Sequence, residues 1–166
     1  MQRASSLPGR WRIPVFFLAA SLVVVADQLS KTWVRSNITL WQSMPETGWL
    51  RLTHICNSGA AFGQFQDQRE LLIAAAFVGI ALLLAYGLFA YRWFPMLDST
   101  LSRVALGLVL GGTIGNLIDR LRLGCVTDFI DFGFWPAFNV ADSSTVVGVI
   151  ILIGLLILLP ARAGKN

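Results

Sequence analysis

Two charge-free stretches decide how this chain folds. They are residues 71–91, LLIAAAFVGIALLLAYGLFAY, and residues 143–161, SSTVVGVIILIGLLILLPA. An α-helix rises about 1.5 Å per residue, so roughly 20 apolar residues cross the hydrocarbon core of a bilayer. Each stretch is therefore predicted to span a membrane without including any charged residue.

The composition of the whole chain agrees with a membrane protein. Its 166 residues are 55% hydrophobic and only 13% charged, and the mean hydropathy is +0.67. A water-soluble domain of this size is rarely so apolar. We expect one membrane domain, 1–166, with small extramembrane pieces. The net charge of +4 comes from basic residues scattered over short loops, so no nucleic-acid partner is expected.

Two more spans are predicted where apolar stretches are too short by themselves. Residues 13–26 and 104–118 lack charge, and they reach membrane length only when neighbouring polar residues are included. The extended first span contains Asp27 and Lys31, and the extended third contains Asn116, Asp119 and Arg120. The predicted fold is mainly α, an integral membrane protein with transmembrane helices at 13–33, 70–91, 101–120 and 141–160.

The charges of the loops orient these spans. The segments predicted to face the cytoplasm are net positive, through Arg3, Arg10, Arg12, Arg92, Arg103, Arg162 and Lys165 against Asp98. The segment from Arg35 to Glu70 is balanced, with three basic and three acidic residues, and the segment from Asp119 to Asp142 is acidic, with four aspartates against two arginines. The positive-inside rule then places both termini in the cytoplasm and both longer loops, 34–69 and 121–140, outside. The polar ends of spans one, three and four are then predicted to meet at the outer face. Because ionisable groups within membrane segments are costly, their convergence at one face suggests a functional site there.

The two outer loops are predicted to carry some structure. Weak alternation of apolar and polar residues from Trp49 to Ile55 predicts a small extracytoplasmic β-sheet. Trp41 and Trp49 are candidate anchors at the level of the lipid headgroups. The loop 121–140, which contains Asp128, is predicted to be a short helix or an irregular connection.

Spacing along the helices suggests one pair of interacting side chains and one packing surface. Asp27 and Lys31 are four residues apart and share a helix face, so they either form an ion pair that pins helix ends or bind a polar headgroup of a substrate. Glycines at 107, 111 and 115 form a smooth stripe that favours close helix packing.

Four aspartates, at 119, 128, 131 and 142, could supply a pair of carboxylates. Two carboxylates held close share a proton, so one can act as a base toward water and the other as an acid toward a peptide carbonyl. Spacing alone leaves several pairings open. Asp119 and Arg120 could instead be solvated helix caps, and Asn139 or Asp142 could be the N-cap of the fourth helix.

Other site chemistries have little support in the sequence. Cys56 and Cys125 have no CxxC spacing, and His54 is the single histidine, so no metal site is expected. No cofactor-binding motif occurs, and no cofactor is expected. We expect two unpaired thiols, with a disulfide in an oxidising compartment as the alternative.

Five segments give the sequence a family resemblance. They are Asp27-Gln28-Leu29-Ser30-Lys31, Asn57-Ser58-Gly59-Ala60-Ala61-Phe62, residues 111–120 (GGTIGNLIDR), Val126-Thr127-Asp128-Phe129-Ile130, and Phe138-Asn139-Val140-Ala141-Asp142. In this order on a four-span chain, they resemble the lipoprotein signal peptidases (signal peptidase II) of bacteria.

This resemblance implies a membrane aspartyl endopeptidase that cleaves the signal peptide of prolipoproteins just before a diacylglyceryl-modified cysteine. The catalytic aspartates of the family fall on Asp128 and Asp142. Its other motif positions, which line the substrate pocket or support the dyad, fall on Asp27, Lys31, Asn57, Gly59, Gly112, Asn116, Arg120, Asn139 and Ala141. We expect a monomer in the bacterial cytoplasmic (inner) membrane, with prolipoproteins and membrane lipids as partners and the site at the extracytoplasmic face.

Two functions of other classes remain open at the level of the sequence. A small membrane transporter or proton-conducting subunit would use Asp27, Lys31 and Asp119 as relay groups. A noncatalytic membrane scaffold would use the same polar residues only to pin its helices. The transporter is less favoured because its polar groups would be expected near the bilayer midplane.

Overall fold

The protein is described here by a computed structural model that covers residues 11–59, 68–89 and 99–163. Its elements are α1 (Arg12–Asn37), β1 (Ser43–Met44), β2 (Arg51–Asn57), α2 (Arg69–Leu88), α3 (Thr100–Leu123), β3 (Val126–Asp131) and α4 (Val140–Ala163). Four helices in these ranges are long and apolar enough to cross a membrane. The predicted mainly helical fold with four candidate spans and a small sheet is confirmed.

Helix α3 lies at the centre of the bundle because its glycines let two neighbours approach closely. A methyl group on Gly107 or Gly111 would collide with the backbone carbonyl of Phe16 or Ala20 in α1. One on Gly112 would collide with α4. The glycine stripe is therefore a packing surface, as predicted, and it fixes the distance from α3 to both α1 and α4.

The ends of α3 follow the usual capping chemistry. The Ser99 hydroxyl accepts a hydrogen bond from the Ser102 amide at 3.1 Å, and Gly124 ends the helix in the left-handed region with φ +84°. Arg69, the first residue of α2, donates through Nε to the carbonyl of Arg120 at 3.1 Å. The start of α2 is thereby tied to the end of α3.

The helices extend beyond the predicted limits at Trp33 and Arg120. Helix α1 continues to Asn37 and α3 to Leu123. The predicted limits correspond only to the helix length needed to cross the hydrocarbon core. The extra turns are stable because their polar side chains find protein partners, as in the hydrogen bond from Arg35 to the Thr127 hydroxyl at 3.0 Å.

The sheet has three antiparallel strands in the order β1-β2-β3. Strand β2 begins two residues after the predicted start at Trp49 and continues to Asn57. The prediction for Asp128 was wrong in one respect, because it lies in strand β3 and not in a helix or irregular loop. Val126 and Phe129 in β3 are buried, and the strand forms because β2 pairs with one side of it while Phe138 bridges to Ile130 on the other.

The two tryptophans predicted to anchor the sheet are both exposed. Trp41 is 67% and Trp49 is 77% accessible, and Trp49 also stacks on Phe132 with ring centroids 6.2 Å apart. Their position at the level of the headgroups stays a prediction.

The prediction of two unpaired thiols was wrong, because Cys56 and Cys125 form a disulfide. The register of the sheet explains the pairing. Cys56 lies opposite Thr127, which leaves its Cα 5.5 Å from that of Cys125. Nothing local in the sequence indicates a contact between residues that are 69 positions apart.

Some sequence predictions fall outside the described residues. These are the loop-motif residues 60–62, the basic residues at 3, 10, 92 and 165, and Asp98. The side chain of Arg162 is likewise not described. The orientation inferred from loop charges therefore stays a sequence prediction.

Candidate active site

The N-terminus of α4 forms a reciprocal cap that places Asp142. Asn139 Oδ1 accepts a hydrogen bond from the Asp142 amide at 2.9 Å, and the Asn139 amide is 3.3 Å from Asp142 Oδ2. The two residues are three apart, which is the spacing of a capping box. Of the two N-cap alternatives, Asn139 is the residue that caps the helix, and the same cap holds the carboxyl of Asp142 against the Asn139 backbone amide.

The side-chain amide of Asn139 also forms a hydrogen bond with Asp128 on β3. Its Nδ2 donates to Asp128 Oδ1 at 2.7 Å, and the other carboxyl oxygen of Asp128 accepts from Asn57 Nδ2 at 2.8 Å. Asn139 is fully buried. Asn139 thus contacts both carboxylates, that of Asp128 through its side-chain amide and that of Asp142 through its backbone amide, although 14 positions separate the two aspartates in the sequence.

Asp128 is unusual in its protonation. Burial is the main cause that raises its pKa to about 7, and the negative charge of Asp142 raises the pKa further. Hydrogen bonds from Asn57 and Asn139 and the charge of Lys31 oppose the shift. Asp128 therefore holds a proton over a range of pH in which an exposed aspartate is ionised.

A second chain of contacts reaches Asp142 from α1. Asn116 donates through Nδ2 to Asp142 Oδ1 at 2.7 Å, and its Oδ1 accepts from Lys31 Nζ at 2.9 Å. Lys31 is fully buried and pairs with Asp27 Oδ2 at 2.8 Å. Between the two alternatives for this pair, the contacts favour the structural ion pair, because Lys31 contacts Asp27 directly and is linked to Asp142 through Asn116.

Asp119 belongs to the same buried network. It lies 3.3 Å from Lys31 Nζ and 3.7 Å from Arg35 Nη1, and it accepts the Thr127 amide at 3.0 Å. The alternative of a solvated helix cap is wrong for Asp119, because only 1% of the residue is exposed. The sequence reasoning missed Arg35, although it lies four residues after Lys31 and eight after Asp27, on the same helix face.

Asp131 is tied to the sheet. It pairs with Arg51 and accepts hydrogen bonds from the Thr53 hydroxyl at 3.1 Å and the Gly133 amide at 2.6 Å. Burial by itself would raise its pKa, but these donors together hold the pKa below its ordinary value. Asp131 is therefore an ionised structural group.

A cavity of about 660 Å³ lies between α2, α3, α4 and the end of β2. Its lining includes seven of the eleven predicted site residues, namely Asn57, Gly59, Gly112, Asn116, Arg120, Asp128 and Asp142. The other four, Asp27, Lys31, Asn139 and Ala141, are fully buried and lie behind that lining. Of the four candidate aspartates, Asp128 and Asp142 are the pair that face the cavity.

The residues behind the lining hold it in place. The Ala141 amide donates to Asp27 Oδ1 at 3.0 Å, so the charge network of α1 also fixes the first turn of α4. Arg120 donates through Nη2 to the carbonyl of Gly59 at 3.1 Å. Arg120 is thus a wall of the cavity and not a solvated cap.

The sequence reasoning missed the apolar part of the cavity. It is formed by Ala76 of α2, residues 135–138 before α4, and Val146 and Val147 within α4. These residues carry no chemical signature, so only their position identifies them. Among the described residues, no group of three histidine, cysteine or acidic side chains is placed to hold a metal ion.

Four helices that are long and apolar enough to cross a membrane, three of which line a cavity that two buried carboxylates face, define an integral membrane protein with an acidic cavity. Residues 19–158 match the family described as signal peptidase (SPase) II. The chain belongs to this family, and it is therefore a peptidase.

Known relatives agree over nearly the full length. The lipoprotein signal peptidase of Dehalococcoides mccartyi is 47% identical over 152 residues, which cover 92% of this chain and 94% of that protein. The lipoprotein signal peptidase of Moorella thermoacetica is 45% identical over 153 residues, with 91% and 98% covered. A solved bacterial membrane enzyme has a TM-score of 0.76 at 29% identity, and 91% of each chain is covered.

Proposed function

We propose that the chain is an aspartic endopeptidase that cleaves diacylglyceryl-modified prolipoproteins just before the lipidated cysteine. Asp128 and Asp142 are its proposed catalytic pair. The observation that carries the proposal is that Asn139 contacts both carboxylates, Asp128 through its side chain and Asp142 through its backbone amide, while both face one cavity. Two relatives named lipoprotein signal peptidase suggest the class of substrate.

The proposed reaction uses the two carboxylates as a base and an acid. With a pKa of about 7, Asp128 is assigned as the proton donor and Asp142 as the base. Asp142 takes a proton from a water, and the oxygen of that water attacks the scissile carbonyl carbon. Asp128 gives its proton to the carbonyl oxygen, which produces a tetrahedral diol.

Collapse of the diol completes the cycle. One hydroxyl of the diol returns a proton to Asp128 as the carbonyl reforms. Asp142 passes the proton it took from water to the amide nitrogen, and the C–N bond breaks. Both carboxyls regain their starting protonation, and the products are a carboxyl terminus and a free amine.

The cavity wall supports a substrate that approaches within the membrane. Val146 and Val147 line the cavity, and they are also 56% and 47% exposed on the outside of α4. In a helix that crosses a bilayer, this apolar surface continues directly into lipid. A hydrophobic signal helix and acyl chains could therefore reach Asp142 sideways, without entering water.

We further propose that the site lies on the extracytoplasmic side. The Cys56–Cys125 disulfide belongs to the sheet beside the cavity, and disulfides persist in oxidising compartments outside the cytoplasm. This agrees with the loop charges, which place the same loops outside. The transporter alternative has no comparable support, since Asp27, Lys31 and Asp119 pair with one another and with Arg35 in a buried cluster.

The test is cleavage of a purified prolipoprotein by the full-length protein in detergent. The expected result is a product that begins with the diacylglyceryl-modified cysteine, identified by mass spectrometry, and no cleavage of the unmodified precursor. Asp128→Asn and Asp142→Asn should insert into the membrane normally and release no product. Equal cleavage of modified and unmodified precursor would contradict the proposed substrate, and an active Asp142→Asn variant would contradict the assigned pair.

A further inference from the structure

The disulfide lies beside Asn57, which contacts Asp128 of the proposed catalytic pair. Strand β2 ends with Cys56 and Asn57, and Cys125 immediately precedes β3. The crosslink therefore joins the last residues of β2 to the first residues of β3, at the end of the sheet that faces the cavity. The next paired residues are Asn57 opposite Val126 and Cys56 opposite Thr127.

Asn57 depends on its backbone position for its contact with Asp128. Its Nδ2 donates to Asp128 Oδ2 at 2.8 Å, while its Oδ1 accepts the Gly59 amide at 2.9 Å. The carbonyl of Gly59 in turn accepts from Arg120. A displacement of the end of β2 would thus disturb both the donor to Asp128 and a wall of the cavity.

Strand pairing alone holds this end of β2 weakly. The register between β2 and β3 shifts between Leu52 and Ile55, so the last three residues of β2 form a short ladder separated from the rest. Ser58, which follows, is exposed. Short ladders at strand ends open readily, whereas a covalent bond at Cys56 prevents that opening.

We infer that the Cys56–Cys125 disulfide is a positioning crosslink, which keeps the amide of Asn57 on Asp128 and so sustains the rate of peptide cleavage. This inference rests on the proposed function of the site. Cys56 and Cys125 contact no reacting atom. They act through Asn57, and the benefit of the crosslink is limited to what Asn57 itself provides.

Because the disulfide acts only through Asn57, we predict an effect on kcat and an effect on the pH profile, neither larger than that of losing Asn57. A hydrogen bond to a charged group is the stronger kind, so Asn57→Ala should lower kcat by about 10- to 100-fold. Loss of the disulfide should lower kcat by no more than this. Because the Asn57 bond stabilises ionised Asp128, losing it raises the apparent pKa of the pair, and the high-pH limb of the rate profile moves to higher pH.

The experiment is a double-mutant cycle in the full-length protein. Wild type, Cys56→Ala/Cys125→Ala, Asn57→Ala and the triple variant are compared by kcat, KM and pH profile on the lipidated precursor. We expect a lower kcat and a shifted high-pH limb in the double-cysteine variant. We also expect the triple variant to be no slower than Asn57→Ala. Reducing assembled wild type with a phosphine should reproduce the double-cysteine variant, which itself should not respond to the reductant.

The outcomes separate the two proposals. If wild type cleaves but both the double-cysteine variant and the reduced wild type keep its kcat and pH profile, the positioning inference is wrong and the proposed function stands. Independent, multiplicative losses in the cycle would also refute the inference. If the double-cysteine variant fails to insert, the wild type reduced after assembly decides. Failure of oxidised wild type to cleave at all would instead refute the proposed function.

Discussion

Replacement of Lys31 by methionine is the perturbation whose consequences the structure defines most fully. Lys31 is fully buried, and its Nζ lies 2.8 Å from Asp27 Oδ2 and 3.3 Å from Asp119 Oδ2. Methionine fills similar volume but leaves two carboxylates with less positive charge beside them. Breaking a buried ion pair from one side costs about 3–5 kcal/mol, which corresponds to a loss of roughly 10 °C in the unfolding midpoint.

The same change should also affect catalysis through Asn116. Lys31 donates to Asn116 Oδ1 at 2.9 Å, which orients the opposite end of that amide toward Asp142 at 2.7 Å. Without Lys31 the Oδ1 of Asn116 keeps the longer bond from Asn139 Nδ2 at 3.2 Å, so the donor to Asp142 is oriented less firmly. A hydrogen bond to a carboxylate is worth about 1.5–3 kcal/mol, so kcat should fall by about 10- to 100-fold.

The two effects of Lys31→Met can be separated. Adding Asp27→Asn removes one of the two unbalanced charges, so the double variant should regain part of the lost unfolding midpoint while kcat stays low. Arg122→Met is the control, because Arg122 is an exposed cation at the end of α3 and should change neither value appreciably. Thermal unfolding in detergent and the cleavage assay give both readouts. A Lys31→Met protein with the wild-type midpoint and a kcat within twofold of wild type would refute the reasoning.

Three further changes test other parts of the account. Folding raises the pKa of Asp128 to about 7, so the stability that its protonated carboxyl contributes is fully present below pH 4 and is lost as the pH rises through about 7. Asp128→Asn should flatten this pH dependence of the unfolding midpoint, and an unchanged slope of midpoint against pH would contradict the shift. Gly112→Ala should reduce both folded yield and activity because its methyl group would meet α4, whereas Gly79→Ala has open space and should be tolerated; equal behaviour of the two would argue against the packing. Asp131→Asn should lose about 1 kcal/mol with its Arg51 pair and keep most of the cleavage activity, and an inactive, stable variant would implicate Asp131 in the site.

The helical part of the fold was predictable because its signal is local. The charge-free stretches at 71–91 and 143–161 are long enough to specify spans by themselves. The polar ends of the other two spans were also interpretable, since Asp27 and Lys31 share a helix face. The loop strands were harder. Strand β3 exists because β2 pairs with it, and neither its position nor the Cys56–Cys125 contact has any local signal.

The candidate site was predictable as a region but not as a pair. Spacing placed Asp119, Asp128, Asp131 and Asp142 near one end of the helices, and only the family resemblance chose two of them. The structure distinguishes them by their partners. Asp119 is neutralised by cations of α1 and Asp131 by Arg51, and these partners lie at least 80 residues away in the sequence. Asp128 and Asp142 are the ones left facing the cavity.

The most direct test of the central claim is the kcat of Asp128→Asn, Asp142→Asn and the double variant on a lipidated prolipoprotein, each compared at equal membrane insertion. Two groups that act on one water as a unit are not additive. Each single variant should therefore lose all but a trace of activity, on the order of a thousandfold or more, and the double variant should be no slower than either. Substantial activity in one single variant, or a double variant slower by the product of the single losses, would contradict the claim.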